Sequence, residues 1–243
     1  MKSRMKMSRE GRTIICAMLG FLAVCGATDG NEPAKGDNIV VFEDSFERSE
    51  LGDPWRIIIP SFSIKDGRLV GHEVPERKHT TISRVPLAFR NAVFEFSFRL
   101  TDGESLHLVL NDETCEKAHA GHICRVSFSA SQVRISDDRD GAFRKDLYQA
   151  FLASGRKGER LLLGESFPQA LDAKRWYRAR VALNDDQMEV LIDGKRIGSF
   201  RSPGISHPTK SDFGFVTKGN IVEIDDVRVT KPKSDQPPTR PAP

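Results

Sequence analysis

Residues 174–200 read KRWYRARVALNDDQMEVLIDGKRIGSF, and this stretch decides the fold. Asp193-Gly194 lies between the runs MEVLI and KRIGSF. A two-residue hairpin turn needs positive φ at both central positions, which this dipeptide adopts readily. The stretch therefore predicts two or three antiparallel strands joined by tight polar turns.

A strict period of two runs from Ala92 to Leu100, which is typical of a half-buried strand. Two later segments repeat the pattern, so three successive strands are expected to place their apolar faces on one core. The residues predicted to face that core are Ala92, Phe94, Phe96, Phe98, Leu100, Leu106, Leu108, Leu110, Cys124, Val126 and Phe128.

Asp-Gly pairs begin at residues 66, 102, 140 and 193, and short apolar segments lie between them. Many short strands with such turns predict an all-β fold, a two-sheet antiparallel sandwich. One segment departs from the strand pattern: Phe143, Leu147 and Phe151 recur every fourth residue and predict one short inserted helix.

The two ends of the chain differ from the domain between them. Residues 1–27 combine five basic residues with the apolar run Thr13–Val24 and predict a secretory signal peptide. That run is too short for a retained transmembrane helix. Cys25 follows Leu-Ala-Val and leaves lipidation open, so the expected location is secreted, periplasmic or cell-surface. We expect an N-terminal segment at 28–38, the sandwich domain at 39–230 and a disordered Pro-rich tail at 231–243.

The net charge argues against a nucleic-acid partner. The whole chain carries +3, and residues 1–27 hold five basic residues and one acid, which is +4. The remainder therefore carries −1. A mature domain near neutrality lacks the basic footprint that nucleic-acid binding requires.

Cys115 and Cys124 are the two cysteines of the predicted mature domain. Export makes a disulfide between them the expected state. The alternative is a zinc site built from Cys115, His119, His122 and Cys124, although this spacing is tight for tetrahedral coordination.

The order of these elements resembles the concanavalin A-like lectin/glucanase sandwiches. It resembles more closely the bacterial secreted domains of unknown function 1080, also labelled 3-keto-disaccharide hydrolase-like. The segments that carry the resemblance are VFEDSFERSELGDPWRI, FSIKDGRLVG, AVFEFSFRL, HAGHICRVSF, KRWYRARVAL, MEVLIDGKRIGSF, SPGISHPTKSDFGF and VEIDDVRV, spread over about residues 40–230. The resemblance implies a jelly-roll sandwich and a carbohydrate-related role outside the cell, and the fold alone fixes no activity.

Glucanases of this fold resemble one another in a strand motif of the type Glu-x-Asp-x-x-Glu, which supplies the two carboxyls of a retaining mechanism. The nearest match here begins at Glu223 and Asp225, with Arg228 in place of the last glutamate. An arginine cannot donate the required proton. We expect Glu223 and Asp225 to lie on the solvent face of the last strand.

Polar residues of several loops are the candidate ligand-binding residues. In the family that this chain resembles, comparable His and Lys positions lie in loops at the mouth of the sandwich. Each such residue alone is more often a solvated loop residue than a ligand-binding one. The predicted ligand-binding residues are His79, Asn111, His122, Arg125, His207 and Lys210. The two tryptophans, Trp55 and Trp176, are expected in core or edge packing.

No cofactor is predicted, although one calcium alternative stays open. Glu43 and Asp44 near the first strand could meet Asp225 and Asp226 on the last, and carboxylate oxygens suit calcium.

The expected function is carbohydrate or cell-surface binding by an exported domain. The partner is then a carbohydrate or a cell-envelope component, and the oligomeric state is open. Two alternatives remain: a hydrolase of 3-keto-glycosides, and a non-catalytic structural envelope protein.

Overall fold

The computed structural model describes residues 38–234 except for residues 60, 75, 77–79, 117, 142–152 and 154–162. The predicted helix at Phe143–Phe151 and residues 235–243 of the predicted tail lie outside the described residues. The tail was predicted to begin at Lys231, but Lys231 and Pro232 belong to the last strand and pair with the first. None of the helices in the described part of the chain has the length and apolar character that a membrane span requires.

Strands make up nearly all of the regular structure, and a short α-helix, α1 (Asp138–Gly141), follows the strand Gln132–Asp137. The described strands are β1 (Asn38–Asp44), β2 (Arg56–Ile59), β3 (Phe62–Lys65), β4 (Arg68–Gly71), β5 (Thr81–Phe89), β6 (Ala92–Arg99), β7 (Gly103–Asn111), β8 (His122–Ser129), β9 (Gln132–Asp137), β10 (Leu163–Pro168), β11 (Tyr177–Asn184), β12 (Gln187–Ile192), β13 (Lys195–Arg201), β14 (Lys210–Gly219) and β15 (Val222–Pro232).

These strands form two antiparallel sheets, which confirms the predicted sandwich. The eight-stranded sheet has the order β13-β12-β11-β6-β15-β4-β3, and β1 also pairs with β15. The seven-stranded sheet has the order β10-β9-β8-β7-β14-β5-β2. Strands distant in sequence, such as β7 and β14, are therefore direct neighbours.

The core lies between the two sheets and is rich in phenylalanine. Phe94, Phe96 and Phe98 alternate along β6 and are all buried, as the period of two predicted. Phe96 on β6 contacts Phe215 on β14 with ring centroids 5.2 Å apart, so these two rings join the sheets. Each buried phenylalanine stabilises the fold by about 1.5–3 kcal/mol.

Two of the four predicted Asp-Gly turns have the expected geometry. Asp66-Gly67 and Asp193-Gly194 take positive φ at both residues, with values of 51°, 68°, 50° and 76°. Of the other two predicted turns, the one before β7 is present at Thr101 and Asp102, and the one at Asp140-Gly141 was wrong. In the turn before β7 the positive φ falls on Thr101, and Asp140-Gly141 belongs to α1.

Candidate functional site

The outer face of the seven-stranded sheet carries a band of polar residues. Directly paired residues of neighbouring strands point to the same face, and Phe213 and Phe215 of β14 point into the core. Gly214 between them therefore points away from the core. It pairs with Arg84 on one side and with Val109 on the other, and Val109 pairs in turn with Arg125. We call this side of the sheet the polar face, defined by Arg84, Gly214, Val109, Arg125 and Ser136, by His107, Ser127 and Val216, and by Asn111, His122 and Asp212. Its partly exposed members are Arg84, His107, His122, Arg125 and Ser127, and the other six are buried.

We call the paired residues from Arg84 to Ser136 the central row. Two small or apolar residues separate its two arginines. Arg84 on β5 and Arg125 on β8 are three strand spacings apart, which is about 14 Å. Gly214 and Val109 fill the positions between them. A Cβ on Gly214 would lie 2.1 Å from the backbone oxygen of Ser83 and 3.1 Å from Cγ of Arg84. The glycine therefore allows β5 and the Arg84 side chain to approach β14 closely.

Asn111 organises one end of the polar face. Its side-chain nitrogen donates to Asp212 Oδ1 at 2.6 Å, and its side-chain oxygen is 2.7 Å from His122 Nδ1. The Asp212 carboxylate can only accept, which fixes the amide orientation and makes His122 Nδ1 the donor to Asn111. The predicted proximity of Asn111 and His122 is thus a direct hydrogen bond, made possible by a register shift between Leu110 and Asn111.

His107 lies at the centre of the neighbouring row, between two serines. Its Nε2 is 2.9 Å from Ser105 Oγ, and its Nδ1 is 2.8 Å from Ser127 Oγ. Burial lowers the pKa of His107 to about 4, and the positive charges of Arg125 and Lys218 act in the same direction. The imidazole is therefore neutral near pH 7 and offers one donor and one acceptor.

A second network lies in the loops next to Asn111. Asp112 accepts hydrogen bonds from Thr209 at 2.6 Å and from His207 Nε2 at 2.9 Å, and Thr114 also donates to it. Burial alone would raise the pKa of Asp112, but these hydrogen bonds outweigh it and lower the pKa to about 2. Arg139 donates to His207 Nδ1 at 3.0 Å, so the proton of the neutral ring sits on Nε2.

Arg125, a predicted ligand-binding residue, is held by an acid of the protein itself. Its guanidinium forms an ion pair with the fully buried Asp138, which also accepts from Ser136 Oγ. The adjacent Asp137 accepts from Ser202 Oγ and from the backbone nitrogen of Gly204. The start of α1 is thereby tied both to the polar face and to the loop that carries His207.

Lys210 does not face the mouth as predicted. Its side chain is buried, and its ammonium donates to the backbone oxygens of Arg90, Ile205 and His207 at 2.9–3.1 Å. A buried ammonium is stable only when such acceptors surround it. Lys210 therefore holds the loop before β14 in place, while Asp212, two residues further along, lies on the polar face.

The predicted disulfide between Cys115 and Cys124 is absent, and both residues are free thiols. Cys124 follows the alternation of β8 and points into the core beside Leu110, whereas Cys115 lies in the turn after β7. Burial raises the pKa of the Cys124 thiol to about 12, so it stays protonated.

No group of three or more His, Cys, Asp or Glu among the described residues could hold a metal ion. The terminal strands β1 and β15 are neighbours, as the calcium alternative required. However, Asp44 forms an ion pair with Arg48 and accepts from Trp55, and Glu43 pairs with Arg228. Asp44 and Glu43 therefore already pair with side chains of the protein itself.

The outer face of the eight-stranded sheet has a different character. Glu223 lies there opposite Arg99, and it accepts from Arg99 and from Thr101 at 2.6 Å each. Trp176 is half-buried on this side and is covered by Arg99, whose guanidinium carbon lies 5.0 Å from the ring centroid. Its ring is therefore occupied by protein cations, while Trp55 packs in the core as predicted.

Sequence reasoning brought together only part of the polar face. Asn111, His122 and Arg125 lie on it, His207 lies in the adjoining loop network, and His79 is outside the described residues. The reasoning missed Arg84 and Asp212. The sequence of β14 could have revealed Asp212, because Asp212 and Gly214 alternate with Phe213 and Phe215 and so point to the opposite face of the sheet.

No family model and no curated protein matches the sequence. Among solved structures, a carbohydrate-binding module CBM66 from Bacillus subtilis matches with a TM-score of 0.54 at 9% identity over 73% of this chain and 95% of that one. SCLam, a non-specific endo-β-1,3(4)-glucanase from family GH16, gives 0.57 at 11% identity over 81% and 92% of the two chains. LamA from Z. galactanivorans, in complex with laminaritriose and laminaritetraose, gives 0.53 at 15% over 79% and 98%. These likenesses confirm the predicted two-sheet jelly-roll fold.

Proposed function

We propose that this domain binds carbohydrate on the polar face. The observation that carries the proposal is the continuous row of paired residues Arg84, Gly214, Val109, Arg125 and Ser136, with polar side chains at its ends and small apolar residues in its middle. A sugar ring has the same division, since its hydroxyls lie around the edge and its faces are apolar.

The chemistry of the flanking residues supports this ligand class. A sugar hydroxyl donates one hydrogen bond and accepts others, so a site needs both kinds of group. The amide of Asn111 and the carboxylate of Asp212 supply donors and acceptors at one end of the polar face, and Ser127, hydrogen-bonded to His107, supplies a hydroxyl. Their mutual hydrogen bonds hold them in fixed positions before a ligand arrives, which reduces the entropy lost on binding.

The fold gives independent support. The neighbours compared above include a carbohydrate-binding module and glucanases. At this level of identity, that likeness concerns the fold, and the site has to be argued from this chain's own residues. The narrower resemblance to the domains of unknown function 1080 stays a prediction.

We propose binding in preference to hydrolysis because the acids of the polar face are held by protein donors. Asp138 pairs with Arg125, and Asp212 accepts from Asn111. The sequence contains one Glu-x-Asp pair, Glu223 and Asp225, and it lies on the opposite sheet with Arg228 in the third motif position.

A glycan array with the purified domain tests this proposal, with His122→Ala as the probe of the site. Loss of the His122–Asn111 hydrogen bond should weaken binding by roughly 5- to 12-fold, because such bonds are worth about 1–1.5 kcal/mol. His72→Ala is the matched control, since His72 is an exposed histidine away from the polar face. Binding to no glycan at all would refute the proposal.

We also propose that the domain acts outside the cytoplasm, with a carbohydrate or another cell-envelope component as its partner. The basis is the sequence of residues 1–27. Mass spectrometry of the protein isolated from cell fractions is expected to find residues 1–27 removed, or Cys25 lipidated at the new N-terminus. An intact N-terminus in the cytoplasmic fraction would exclude export.

A further inference from the structure

Arg84 is the one arginine of the central row whose guanidinium is incompletely bonded. Its side chain is 12% exposed, and its Nε is buried without a hydrogen-bond partner. The nearest acids are Asp212, whose Oδ1 lies 3.8 Å from Nε, and Glu113, whose Oε1 lies 3.5 Å from Nη1. Both distances are too long for strong hydrogen bonds. Arg125, in contrast, has a close ion pair with Asp138.

Buried nitrogens without a partner are rare in folded proteins, because each one loses its hydrogen bonds to water without replacement. Asp212 does not fill this position, since its Oδ1 lies 3.8 Å from Nε, beyond hydrogen-bond distance, while it accepts from Asn111 at 2.6 Å. The side chain of Arg84 is placed by the close approach over Gly214, so its Nε–H stays near the polar face. The arrangement leaves donor capacity for an acceptor that comes from outside the chain.

We propose that Arg84 binds the carboxylate of an acidic sugar, so that the ligand of the polar face is a uronic-acid-containing polysaccharide. This inference rests on the proposed carbohydrate binding. A guanidinium matches the two oxygens of a carboxylate in a fork of parallel hydrogen bonds through Nε and one Nη. The weak contacts to Asp212 and Glu113 allow the guanidinium to turn toward such a ligand at small cost.

The surrounding charges favour a single negative charge on the ligand. Arg56 is the partner of Arg84 in the pairing of β2 with β5, so two cations lie side by side at this edge. Asp212 and Glu113 balance them. A carboxylate adds one charge to this set, whereas a phosphate monoester adds nearly two and is repelled more strongly by the same acids.

The test compares an oligogalacturonate with the same oligosaccharide after reduction of its carboxyl groups, by calorimetry. A charged hydrogen-bond pair predicts that the acidic form binds roughly 10- to 100-fold more tightly, and Arg84→Gln should abolish this difference. Arg84→Lys keeps the positive charge but cannot form two parallel hydrogen bonds to a carboxylate, so it should retain only part of the affinity difference. Arg178→Gln, an exposed arginine on the outer face of the other sheet, should change nothing.

Equal affinity for the two forms, or a preference that survives Arg84→Gln, would overturn the inference. So would tighter binding of a sulfated galactan than of the oligogalacturonate, because the acceptor would then not be a carboxylate. If the array shows only neutral glycans bound, the inference fails while the proposed function stands. If no glycan binds, the proposed function itself fails. Thermal melting of each variant shows whether it is folded.

Discussion

Asn111 shows how one side chain links three strands on the polar face. It lies at the end of β7, donates to Asp212 on β14 and accepts from His122 on β8. The sequence placed Asn111 and His122 near each other because β7 and β8 are consecutive. It did not place Asp212 there, since that pairing spans about a hundred residues and depends on the order of strands in the sheet.

His107 makes a residue-scale prediction about pH. Its folded pKa of about 4 lies below the ordinary value of 6.5, so the unfolded chain binds a proton in this window that the native chain does not. Stability from this group is complete above pH 6.5 and is lost as pH falls toward 4. His107→Gln should remove about 2 kcal/mol of the stability difference between pH 7 and pH 4.5.

Urea unfolding of both proteins at the two pH values checks this. The free energy of unfolding of the wild type should fall more steeply than that of His107→Gln between pH 7 and pH 4.5. Parallel losses in the two proteins would show that His107 does not carry the effect.

Substitution of Lys210 is expected to lower stability and leave glycan binding unchanged, because Lys210 holds a loop and does not lie on the polar face. Lys210→Met removes the donor to three backbone oxygens and should destabilise the domain by about 2–4 kcal/mol. At a temperature where the variant is folded, its affinity for glycans should be close to that of the wild type. A selective loss of binding without loss of stability would return Lys210 to the ligand site.

At the scale of elements, β14 positions the polar face. It pairs with β7 on one side and β5 on the other, and its inward phenylalanines fix which residues face outward. A shift by one residue would turn Asp212 and Gly214 into the core. The hairpins at Asp66-Gly67 and Asp193-Gly194 were predictable because their geometry is local, whereas the position of β14 is set by packing across the sheet.

Gly214→Ala tests this element directly. Its new Cβ would lie nearest the backbone oxygen of Ser83, which cannot turn away as a flexible side chain can, so β5 and β14 must move apart. We expect a loss of at least about 2 kcal/mol in unfolding free energy together with weaker glycan binding. In Gly52→Ala the added Cβ has no heavy atom within 4 Å, and the change should be neutral or stabilising by up to about 1 kcal/mol. Equal stabilities of the two variants would contradict the close approach at Gly214.

At the scale of the whole molecule, the sandwich was predictable because a strand with one buried face shows alternating apolar and polar residues in its sequence. Ala92–Leu100 alternates in sequence and in burial alike. The composition of the polar face could not be predicted in this way. Its residues come from five strands, and which strands are neighbours depends on the strand order in the sheet. The disulfide prediction was wrong for a related reason: the alternation of β8 directs Cys124 into the core, away from the turn that carries Cys115.

The most direct test of carbohydrate binding on the polar face is a chemical-shift titration of the isotope-labelled domain with an oligosaccharide that the array selects. We predict that the shifting amides and side-chain NH groups cluster on β5, β7, β8 and β14, with Arg84, Asn111 and His122 among them. Resonances near Trp176 on the other sheet should stay in place. Shifts centred on Trp176, or no shift with any glycan, would contradict the account.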